Sequence, residues 1–572
     1  MIVKKLNKPI GHDSLEKRKV VGAHYTPKIL SDFVAQKILK FWTPKPDMDK
    51  VRILDPAVGA GELLLSILAE LTRAGFSNIE CVGFDTDCNA IELALSRISK
   101  AFPSVSARLR EENFLEFALT YGVSSLFSKG FEFFDLSIAN PPYVRTQVMG
   151  AQKSQQLALQ FGLSGRVDLY YAFINGIAML MKPGGIAGII VSNRFMTTKS
   201  GISVRKSIID KFDAIHVWDL GDTRLFEAAV LPAILLVRVK DKTLQPVEAK
   251  FTSIYSTENT QQSISCANVI EALDKDGVVK LPDGQNYAVQ QGKLMHGNNL
   301  NGVWRIATED SEKWLSLIKS HTYCTFGEVG EIKVGIKTTA DNVFISSDWE
   351  DLPKEEQPEL LMPLITHHIA RRFKAKESDK PKRVLYTHQV KQGRRVAIDL
   401  NEFPHSANYL NRHRANLEGR KYVLDAGRKW FEIWVPHDPF AWSQPKIVFR
   451  DISDKPTFWM DLSGSVVNGD CYWIACDNPQ QVDLLWLILG VGNSSFIEIF
   501  YDYKFKNKLY AGRRRFMTQY VRQFPLPNTD TEIARQIIQL SKKIYKLTPS
   551  QEAKCLEDKL ERLVWQAFGF SN

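Results

Sequence analysis

The chain has 572 residues, of which 44% are hydrophobic and 24% charged, and its formal net charge is +10 at pH 7. That length allows two or three domains with sizeable cores, and the composition excludes a disordered chain. The basic balance is consistent with a polyanionic partner, and the seven scattered cysteines, with no C-x-x-C pair among them, exclude a disulfide framework and a zinc knuckle.

The N-terminal segment, residues 1–19, is basic and contains no apolar stretch, so it does not resemble a signal peptide. No apolar run in the sequence approaches the roughly 20 residues that span a bilayer. Cysteine usage and the absence of such segments predict a cytosolic protein without a membrane partner.

Strands and helices alternate in the first part of the chain. Helical patterns cover residues 28–42, 62–73 and 89–101, and short apolar strands are predicted at 51–57, 79–85, 133–139, 186–192 and 215–220. This alternation predicts a parallel sheet covered by helices on both faces. A last strand at 232–239 follows its predecessor too closely for a crossover helix, so we expect it to be antiparallel.

The composition changes after about residue 240. Residues 241–301 are polar, with clusters of Gln, Ser, Thr and Asn, and the pattern is then irregular and rich in aromatic and basic residues until about 528. Helical periodicity returns from 529 to 570, where we expect two amphipathic helices packed on the body of the protein. The sequence therefore predicts domains at 1–242, 243–528 and 529–572.

A glycine-rich segment, Asp55-Pro-Ala57-Val-Gly59-Ala-Gly61, follows the first strand and opens a helix. Glycines there permit a tight turn and a close approach of the backbone to a ligand beyond the carboxyl ends of the strands. The segment lacks the Gly-Lys-Ser/Thr ending of a P-loop, which excludes that motif. At the tip of the second strand, Asp85 is placed to accept two ribose hydroxyls, while Asp87 is expected to cap the next helix.

Upstream, Thr26 and Pro27 precede the first helical pattern. They suit a helix start, with Thr26 as N-cap and Pro27 in the first helical position. A helix N-terminus also offers unpaired amides and partial positive charge to a carboxylate. The structural role and a ligand-binding role are compatible here.

The tetrapeptide Asn140-Pro141-Pro142-Tyr143 directly follows a predicted buried strand. Its Asn oxygen and its Pro carbonyl are acceptors, and the Tyr ring offers a face for stacking, so the segment suits a planar molecule with an exocyclic amino group. Because Asn and Pro are common turn residues, a plain strand-to-loop turn is the alternative.

Taken together, and in their order along the chain, these segments resemble the gamma-class N6-adenine DNA methyltransferases of restriction–modification systems. The resemblance covers residues 22–239 and extends more loosely beyond them. The resemblance implies an α/β fold: a Rossmann-like, seven-stranded methyltransferase sheet with an antiparallel last strand, an irregular α+β DNA-recognition domain and C-terminal helices. It also implies S-adenosylmethionine as cofactor and double-stranded DNA as partner.

Carried over by position, the resemblance assigns cofactor contacts to several residues of this chain. The methionine moiety would lie near the N-terminal motif, the ribose would be held by the acid of the second strand, and the adenine would be read by a third motif in which Asn113 stands where the family usually has Asp. The implied cofactor-binding residues are Tyr25, Thr26, Pro27, Asp55, Ala57, Gly59, Gly61, Asp85, Asn113 and Phe114.

The resemblance also assigns the catalytic residues Asn140, Pro141, Tyr143 and Phe226. Two acceptors, the Asn140 oxygen and the Pro141 carbonyl, would draw the adenine amino nitrogen toward tetrahedral geometry and direct its lone pair at a methyl group. The target base would be flipped out of the duplex and held between Tyr143 and Phe226. The alternative role for Phe226 is that of an ordinary core residue. No metal is expected.

Two basic runs favour contact with phosphates. Residues 371–395 contain ten Lys or Arg against two acids, and a second cluster lies at 504–515. Charge runs are often only solvated surfaces, which is the alternative. The predicted DNA-binding residues are Arg371, Arg372, Lys374, Arg394, Arg395, Arg513, Arg514 and Arg515. Residues 333–342 also resemble a segment of the family's recognition region.

The sequence thus predicts a site-specific DNA adenine-N6 methyltransferase in a prokaryotic cytosol, monomeric, with a restriction endonuclease as a possible separate partner from which it protects host DNA. An RNA or protein-glutamine methyltransferase is the nearest alternative, since N-P-P-Y also serves amino and amide nitrogens in those enzymes. A DNA-binding specificity protein without enzymatic activity is an alternative of another class.

Overall fold

The computed structural model describes residues 26–46, 48–124, 131–144, 150–165, 167–223, 225, 231–295, 302–476, 478, 481–505 and 513–570. The chain forms two compact units, one reaching to Thr308 and one beginning at Glu309. Two predicted site residues, Tyr25 and Phe226, lie outside the described residues.

The first unit is built on one large sheet with helices packed against it. Its strands are β1 (Val51–Asp55), β2 (Ile79–Asp85), β3 (Ser106–Glu111), β4 (Phe134–Ala139), β5 (Met181–Ser192), β6 (Phe212–Asp219), β7 (Pro232–Val239), β8 (Lys250–Ser256), β9 (Ile264–Ser265), β10 (Gly277–Lys280), β11 (Asn286–Met295) and β12 (Arg305–Ala307). Its helices are α1 (Lys28–Phe41), α2 (Glu62–Arg73), α3 (Cys88–Ala101), α4 (Phe114–Ser124), α5 (Ala151–Gln160), α6 (Leu169–Leu180), α7 (Ile202–Lys211) and α8 (Val269–Ala272), with a 3-10 turn at Asn193–Met196.

The first seven strands have the order β3-β2-β1-β4-β5-β7-β6. The strands β1, β2, β4 and β5 pair in parallel, whereas β7 is antiparallel to both β5 and β6. This confirms the predicted Rossmann-like sheet and its antiparallel last strand. The central strands are buried along their length, as in β4, because helices cover both faces of the sheet.

The sequence does not predict strand β3, because the residue pattern of this strand is polar. Its sequence is SARLRE, and exposed side chains alternate with half-buried ones along it. It pairs in parallel with β2 at the edge of the sheet, where one side of the strand meets solvent. An edge strand of this kind carries little of the apolar signal that marks the central strands.

The first compact unit continues past the boundary expected at residue 242. Strand β8 pairs in parallel with β6, with Asp219 opposite Ser253, and the sheet goes on through β11, β10 and β9. Backbone pairing thus joins the described strands beyond residue 242 to the Rossmann-like sheet. The unit ends at Thr308 for this reason.

The second unit contains smaller sheets and a helical core. Its strands are β13 (Cys324–Thr325), β14 (Ile332–Val334), β15 (Ile345–Ser346), β16 (Leu361–Ile365), β17 (Phe373–Lys374), β18 (Arg383–Leu385), β19 (His388–Lys391), β20 (Arg394–Ala397), β21 (Lys446–Arg450), β22 (Ile452–Ser453), β23 (Phe458–Asp461), β24 (Val466–Val467), β25 (Cys471–Ala475), β26 (Arg514–Arg515) and β27 (Pro525–Leu526).

Its helices are α9 (Glu309–His321), α10 (Phe326–Val329), α11 (Asp341–Phe344), α12 (Pro404–Arg412), α13 (Arg414–Glu418), α14 (Lys421–Asp425), α15 (Asp483–Gly492), α16 (Ser495–Phe505), α17 (Thr518–Val521), α18 (Glu532–Leu547) and α19 (Gln551–Ala567). Short 3-10 turns lie at Trp349–Asp351, Lys354–Glu356, His367–Ile369, Leu400–Glu402 and Pro439–Ser443.

The two expected C-terminal helices, α18 and α19, are present and belong to the second unit. Thr531 and Ser550 cap them by accepting from the backbone amides three residues on. A Cβ at Gly490 of α15 would lie 2.8 Å from Ile537 Cγ2 of α18, so the helices pack closely at that point. Within the described residues no single helix is long and apolar enough to cross a membrane, whereas α15 and α16, bent by 74°, meet that criterion only as a pair.

Candidate active site at the carboxyl edge of the sheet

Three polar residues of the predicted site stand where neighbouring parallel strands end. Asp55 closes β1, Asp85 closes β2, and Asn140 directly follows β4. The register places Asp55 opposite Gly83 and Leu54 opposite Ser137, so the three strand ends lie side by side. Open α/β sheets bind ligands beyond this edge.

The glycine-rich loop is tied to the end of β2 by its own backbone amides. Val58 N donates to Phe84 O over 2.9 Å, and Gly59 N donates to Asp85 Oδ2 over 2.8 Å. Gly59 and Gly61 both adopt left-handed conformations, with φ of +51° and +79°. The loop therefore turns tightly between β1 and α2, as the sequence predicts.

The two glycines have different surroundings. A Cβ at Gly59 would meet no atom within 4 Å, whereas a Cβ at Gly61 would lie 3.0 Å from Ala94 Cβ of α3. Gly61 thus allows α2 to begin close to α3. Gly59 borders open space, where the backbone can be approached by a ligand.

Asp55 is fully buried and only half satisfied. Its Oδ1 accepts from Ala57 N over 3.0 Å, while its Oδ2 has no hydrogen-bond partner among the described residues. Burial raises the pKa of Asp55 to about 7; the Ala57 amide opposes this rise, and the charge of Asp85 adds to it. A buried carboxylate of this kind is stabilised when a cation comes near it.

Asp85 is held in place by two backbone amides. Its Oδ2 accepts from Gly59 N and its Oδ1 accepts from Asp87 N over 3.0 Å. Each carboxylate oxygen can accept more than one hydrogen bond, so hydroxyl donors suit both. Asp87 caps α3 by accepting from Asn89 N, which confirms the prediction that Asp87, and not Asp85, is the cap.

The Asn140 amide is oriented from both ends. Its Nδ2 donates to Thr26 Oγ1 over 3.0 Å, and its Oδ1 accepts from Tyr143 OH over 2.8 Å. Pro141 is buried, and Asn140, Pro142 and Tyr143 are partly exposed, so the segment does not pack wholly inside. Oriented in this way, the amide presents an acceptor at the edge of the site.

Thr26 is not the helix cap that the sequence suggests. Pro27 occupies the N-cap position and α1 begins at Lys28, without a side-chain cap. The carbonyl of Pro27 accepts from Leu30 N and Ser31 N, both over 3.0 Å. The Thr26 hydroxyl contacts Asn140 instead, a pairing across the chain that no local pattern could indicate.

Tyr143 is supported by a second tyrosine. Its ring meets Tyr170 edge-on, with centroids 6.2 Å apart and planes at 90°. Tyr170 OH donates to Ser192 O at the end of β5 over 3.2 Å. Burial holds the pKa of Tyr143 well above its ordinary value, so its hydroxyl stays protonated and can donate to Asn140.

Asn113 and Phe114 lie at the start of α4. Asn113 is exposed, and its Oδ1 accepts from Leu115 N over 3.0 Å. Phe114 is 2% exposed and packs with Phe173, at 5.3 Å between ring centroids, and with Phe84, at 5.6 Å. The structure thus shows a helix start and a core ring at these positions, and their cofactor contacts stay predictions.

A buried polar cluster that the sequence does not predict lies beyond β5 and β6. Asp219 Oδ2 accepts from Tyr255 OH over 2.8 Å, and its Oδ1 accepts from Asn193 Nδ2 over 3.0 Å. Burial raises the pKa of Asp219 to about 6, although these donors oppose the rise. The sequence signal was an acid at the tip of a strand, the same signal that indicated Asp85.

Among the residues predicted to contact DNA, Arg514 is buried and paired within the second unit. It is 6% exposed, and its Nε and Nη2 donate to the two carboxylate oxygens of Asp502, each over 2.7 Å. Arg515 forms a similar fork with Asp451 and is partly exposed. The structure does not favour phosphate contact by Arg514, because its buried guanidinium already pairs with an acid inside the second unit. Arg513 is exposed.

The other predicted contacts divide into engaged and outward-facing residues. Arg371 donates to the carbonyls of Lys374 and Ala375, and Arg372 pairs with Glu557 over 3.1 Å. Arg394 and Arg395 are exposed on the hairpin β19–β20. The structure thus favours the hairpin over residues 371–374 as a surface for an anionic partner.

Two stretches of the chain match known families. Residues 69–226 match the Eco57I restriction-modification methylase family, and residues 391–526 match the TaqI-like C-terminal specificity domain. The type II methyltransferase M.BanIII of Aneurinibacillus aneurinilyticus is 39% identical over 572 residues, covering 97% of this chain and 98% of that protein. M.BstVI of Geobacillus stearothermophilus, also a type II methyltransferase, is 24% identical over 89% of this chain and 90% of its own.

Among solved structures, a nuclease-deletion mutant of the type ISP restriction–modification enzyme LlaGI, in complex with a DNA substrate mimic, matches with a TM-score of 0.53. It is 13% identical, and the match covers 94% of this chain and 57% of that one, so the likeness concerns the fold alone. Identity along nearly the whole length of M.BanIII settles the family. The chain belongs to the type II methyltransferases of restriction–modification systems.

Proposed function

We propose that this chain is a site-specific DNA methyltransferase that transfers a methyl group from S-adenosylmethionine to the N6 atom of adenine. The observation that carries the proposal is the oriented Asn140 amide. It lies at the same edge of the sheet as the glycine-rich loop and Asp85. An acceptor for an amino group and a loop suited to a nucleoside thus occupy neighbouring strand ends.

The residues at the glycine-rich loop fit the proposed cofactor. The unpartnered Oδ2 of Asp55 suits its positive charge, the two anchored oxygens of Asp85 suit ribose hydroxyls, and Gly59 leaves room beside the backbone. When bound, S-adenosylmethionine supplies an electrophilic methyl group on a sulfonium. The loop would bind and orient it, which is the main contribution a protein makes to such a displacement.

On the substrate side, the described residues at this edge of the sheet supply hydrogen-bond acceptors. An amide oxygen can accept two hydrogen bonds, one from Tyr143 and one from an adenine amino group. Pro141 has no amide hydrogen, so its carbonyl acts without a competing donor on the same residue. Two acceptors around one amino nitrogen favour a localised lone pair, which makes that nitrogen nucleophilic.

The amino group of a stacked adenine is out of reach, so the base must be flipped out of the duplex at a cost of a few kcal/mol. Stacking on Tyr143 offsets part of this cost, since a base on an aromatic side chain is worth about 1–3 kcal/mol. The edge-on contact with Tyr170 holds the Tyr143 ring for this purpose. Phe226 is proposed for the opposite face of the base.

The partners are proposed on the same grounds. The match to a specificity domain at residues 391–526 supports duplex DNA as substrate. We further propose that the chain acts as a monomer in a prokaryotic cytosol, and that it protects host DNA from a separate restriction endonuclease.

The decisive experiment is transfer of tritiated methyl from labelled cofactor to duplex DNA, to RNA and to a protein extract in parallel. We expect incorporation into DNA alone, located on adenine N6 by sequencing of DNA from cells that express the chain. Asn140→Ala should abolish transfer and keep cofactor affinity. Label in RNA or protein instead, or DNA binding without any transfer by the wild type, would refute the proposal.

A further inference from the structure

Three segments of the second unit converge on one surface. The hairpin β19–β20 meets the loop 427–437 where His388 Nε2 lies 3.3 Å from Glu432 Oε2. The same loop meets the segment 335–340, since Lys337 N donates to Val435 O over 3.2 Å and Val435 N donates to Lys337 O over 3.0 Å. Segments far apart in the sequence thus form one surface, and the hairpin and the loop enclose a cleft in it.

The cleft contains a cavity of about 420 Å³. Its lining combines residues of the hairpin with residues of the loop, among them His388, Arg395, Gly427, Arg428, Lys429 and Glu432. A cavity of this size is too small for a folded domain but can receive one anionic group and its immediate neighbours.

Each of the three segments carries an exposed cation. Lys337, Arg395 and Lys429 are exposed, one on each of the three segments. The acid among the lining residues, Glu432, accepts from Lys429 N over 2.8 Å and faces His388, so it is used to shape the loop. The side chains directed at solvent therefore favour an anion.

A buried arginine fixes the geometry of this surface. Arg420 is 6% exposed, and its Nη1 donates to Thr338 O over 2.8 Å while its Nη2 donates to Trp430 O. It thereby joins the segment 335–340 to the loop. Thr339, next to the bond, has a φ of +60°, a strained conformation for a β-branched residue, and such strain concentrates at binding sites.

We propose that this cleft binds the phosphate backbone of duplex DNA. The inference rests on the proposed function and locates one part of its DNA contact, centred on Lys337, Arg395 and Lys429. Exposed cations on three adjoining segments, which are joined by Arg420 and by the His388–Glu432 contact, suit the repeated negative charges of a nucleic-acid strand.

The test compares two triple variants that remove the same charge from the second unit. The first is Lys337→Gln, Arg395→Gln and Lys429→Gln; the control is Lys546→Gln, Lys554→Gln and Lys559→Gln, exposed positions on α18 and α19. Binding of a fluorescent 30-base-pair duplex of arbitrary sequence is measured by anisotropy at several salt concentrations.

We expect the cleft variant to bind at least tenfold more weakly at 0.1 M salt, with a log–log salt slope shallower by about 2–3, whereas the control stays within twofold of wild type. A charge-preserving variant, Lys337→Arg with Arg395→Lys and Lys429→Arg, should keep the wild-type salt slope. That result would show that the weaker binding of the cleft variant is not caused by a folding defect. Equal effects of the cleft and control variants, or none, would overturn the proposal.

The methylation assay separates this inference from the function on which it rests. Suppose that the wild type transfers methyl to DNA and that the cleft variant binds and methylates DNA equally well. The proposed role of the cleft is then refuted, and the proposed function stands. If the wild type transfers no methyl to DNA, the proposed function fails, and a binding contrast between the two triple variants still supports a nucleic-acid site.

Discussion

Asn140 Nδ2 donates a 3.0 Å hydrogen bond to Thr26 Oγ1, across 114 positions of the chain. The bond joins Thr26, two positions before α1, to the residue after β4, and it places the amide nitrogen on the side of Thr26. The oxygen is left on the side of Tyr143. Thr26 therefore positions the acceptor on which the proposed transfer depends.

Thr26→Val should lower kcat for methyl transfer by about tenfold or more. Valine has nearly the same shape but cannot accept from Asn140, so the amide loses one of the two contacts that orient it and its partly buried donor loses a partner. Thr26→Ser keeps the hydroxyl and should retain activity within about threefold. Rates are to be measured with both substrates saturating.

The same pair of variants distinguishes this role from a cofactor contact. If Thr26 acts through Asn140, cofactor affinity measured by calorimetry should change less than threefold in Thr26→Val. A large loss of cofactor affinity with unchanged kcat would show that Thr26 contacts the methionine moiety instead.

Tyr143 combines a hydrogen bond and a ring, and two substitutions separate them. Tyr143→Phe removes the donor to Asn140 Oδ1 and keeps the ring on Tyr170, so we expect kcat to fall by roughly three- to tenfold. Tyr143→Ala also removes the stacking surface and should cost a further tenfold or more. The readout is single-turnover methylation, with binding of a duplex carrying a mismatched adenine as control. Equal losses in the two variants would mean that the ring makes no contact with the base.

Much of the fold of the first unit can be predicted from the sequence, because it depends on patterns among neighbouring residues. Buried central strands such as β4 are continuous apolar runs, and the turn after β1 requires the glycines that the sequence shows. Asp87 was identified as a cap from its distance to the next helical pattern, and the structure confirms it. These features depend on neighbours within a few residues.

What the sequence could not show depends on distant partners. The pairing of β6 with β8 extends the sheet beyond residue 242. Because it joins strands that are distant in the sequence, no local pattern predicts it. Likewise, Arg514 looks like its neighbour Arg513 in sequence, but only Arg514 is buried against Asp502. Charge runs indicate composition, whereas the partner of each charge is set by the fold.

The buried carboxyl of Asp55 should make cofactor binding depend on pH. Its pKa is raised by burial to about 7, and a bound cation would favour the ionised form, so binding below pH 7 requires loss of a proton. Affinity should therefore rise by up to about tenfold per unit between pH 5.5 and 7 and level off above pH 8. Calorimetry in buffers of different ionisation enthalpy measures both the affinity and the proton release.

Asp55→Asn is the matched control for that profile. It should bind the cofactor more weakly at pH 8 and show a flat pH dependence between 5.5 and 8. Without cofactor, the free energy of unfolding should show the opposite pH trend. The folded-state pKa of Asp55 lies above the unfolded value of 3.8, so the folded state holds the proton more tightly. The contribution of Asp55 to stability therefore falls as pH rises from about 4 to 7. A wild-type affinity that is flat across this range would refute the role of Asp55.

Arg514→Ala should destabilise the second unit by about 3–5 kcal/mol, since it leaves the Asp502 carboxylate in a partly buried position without its fork of donors. Arg513→Ala, a change of the same residue type at the exposed neighbouring position, should alter the free energy of unfolding by less than about 1 kcal/mol. Urea unfolding followed by tryptophan fluorescence compares the two variants, and the salt slope of DNA binding is measured beside it. We expect Arg514→Ala to change the slope only where the protein has begun to unfold. If Arg514→Ala instead kept the wild-type stability and lowered the slope by about one, its guanidinium would be reaching a phosphate, and the assignment of Arg514 to the interior would be wrong.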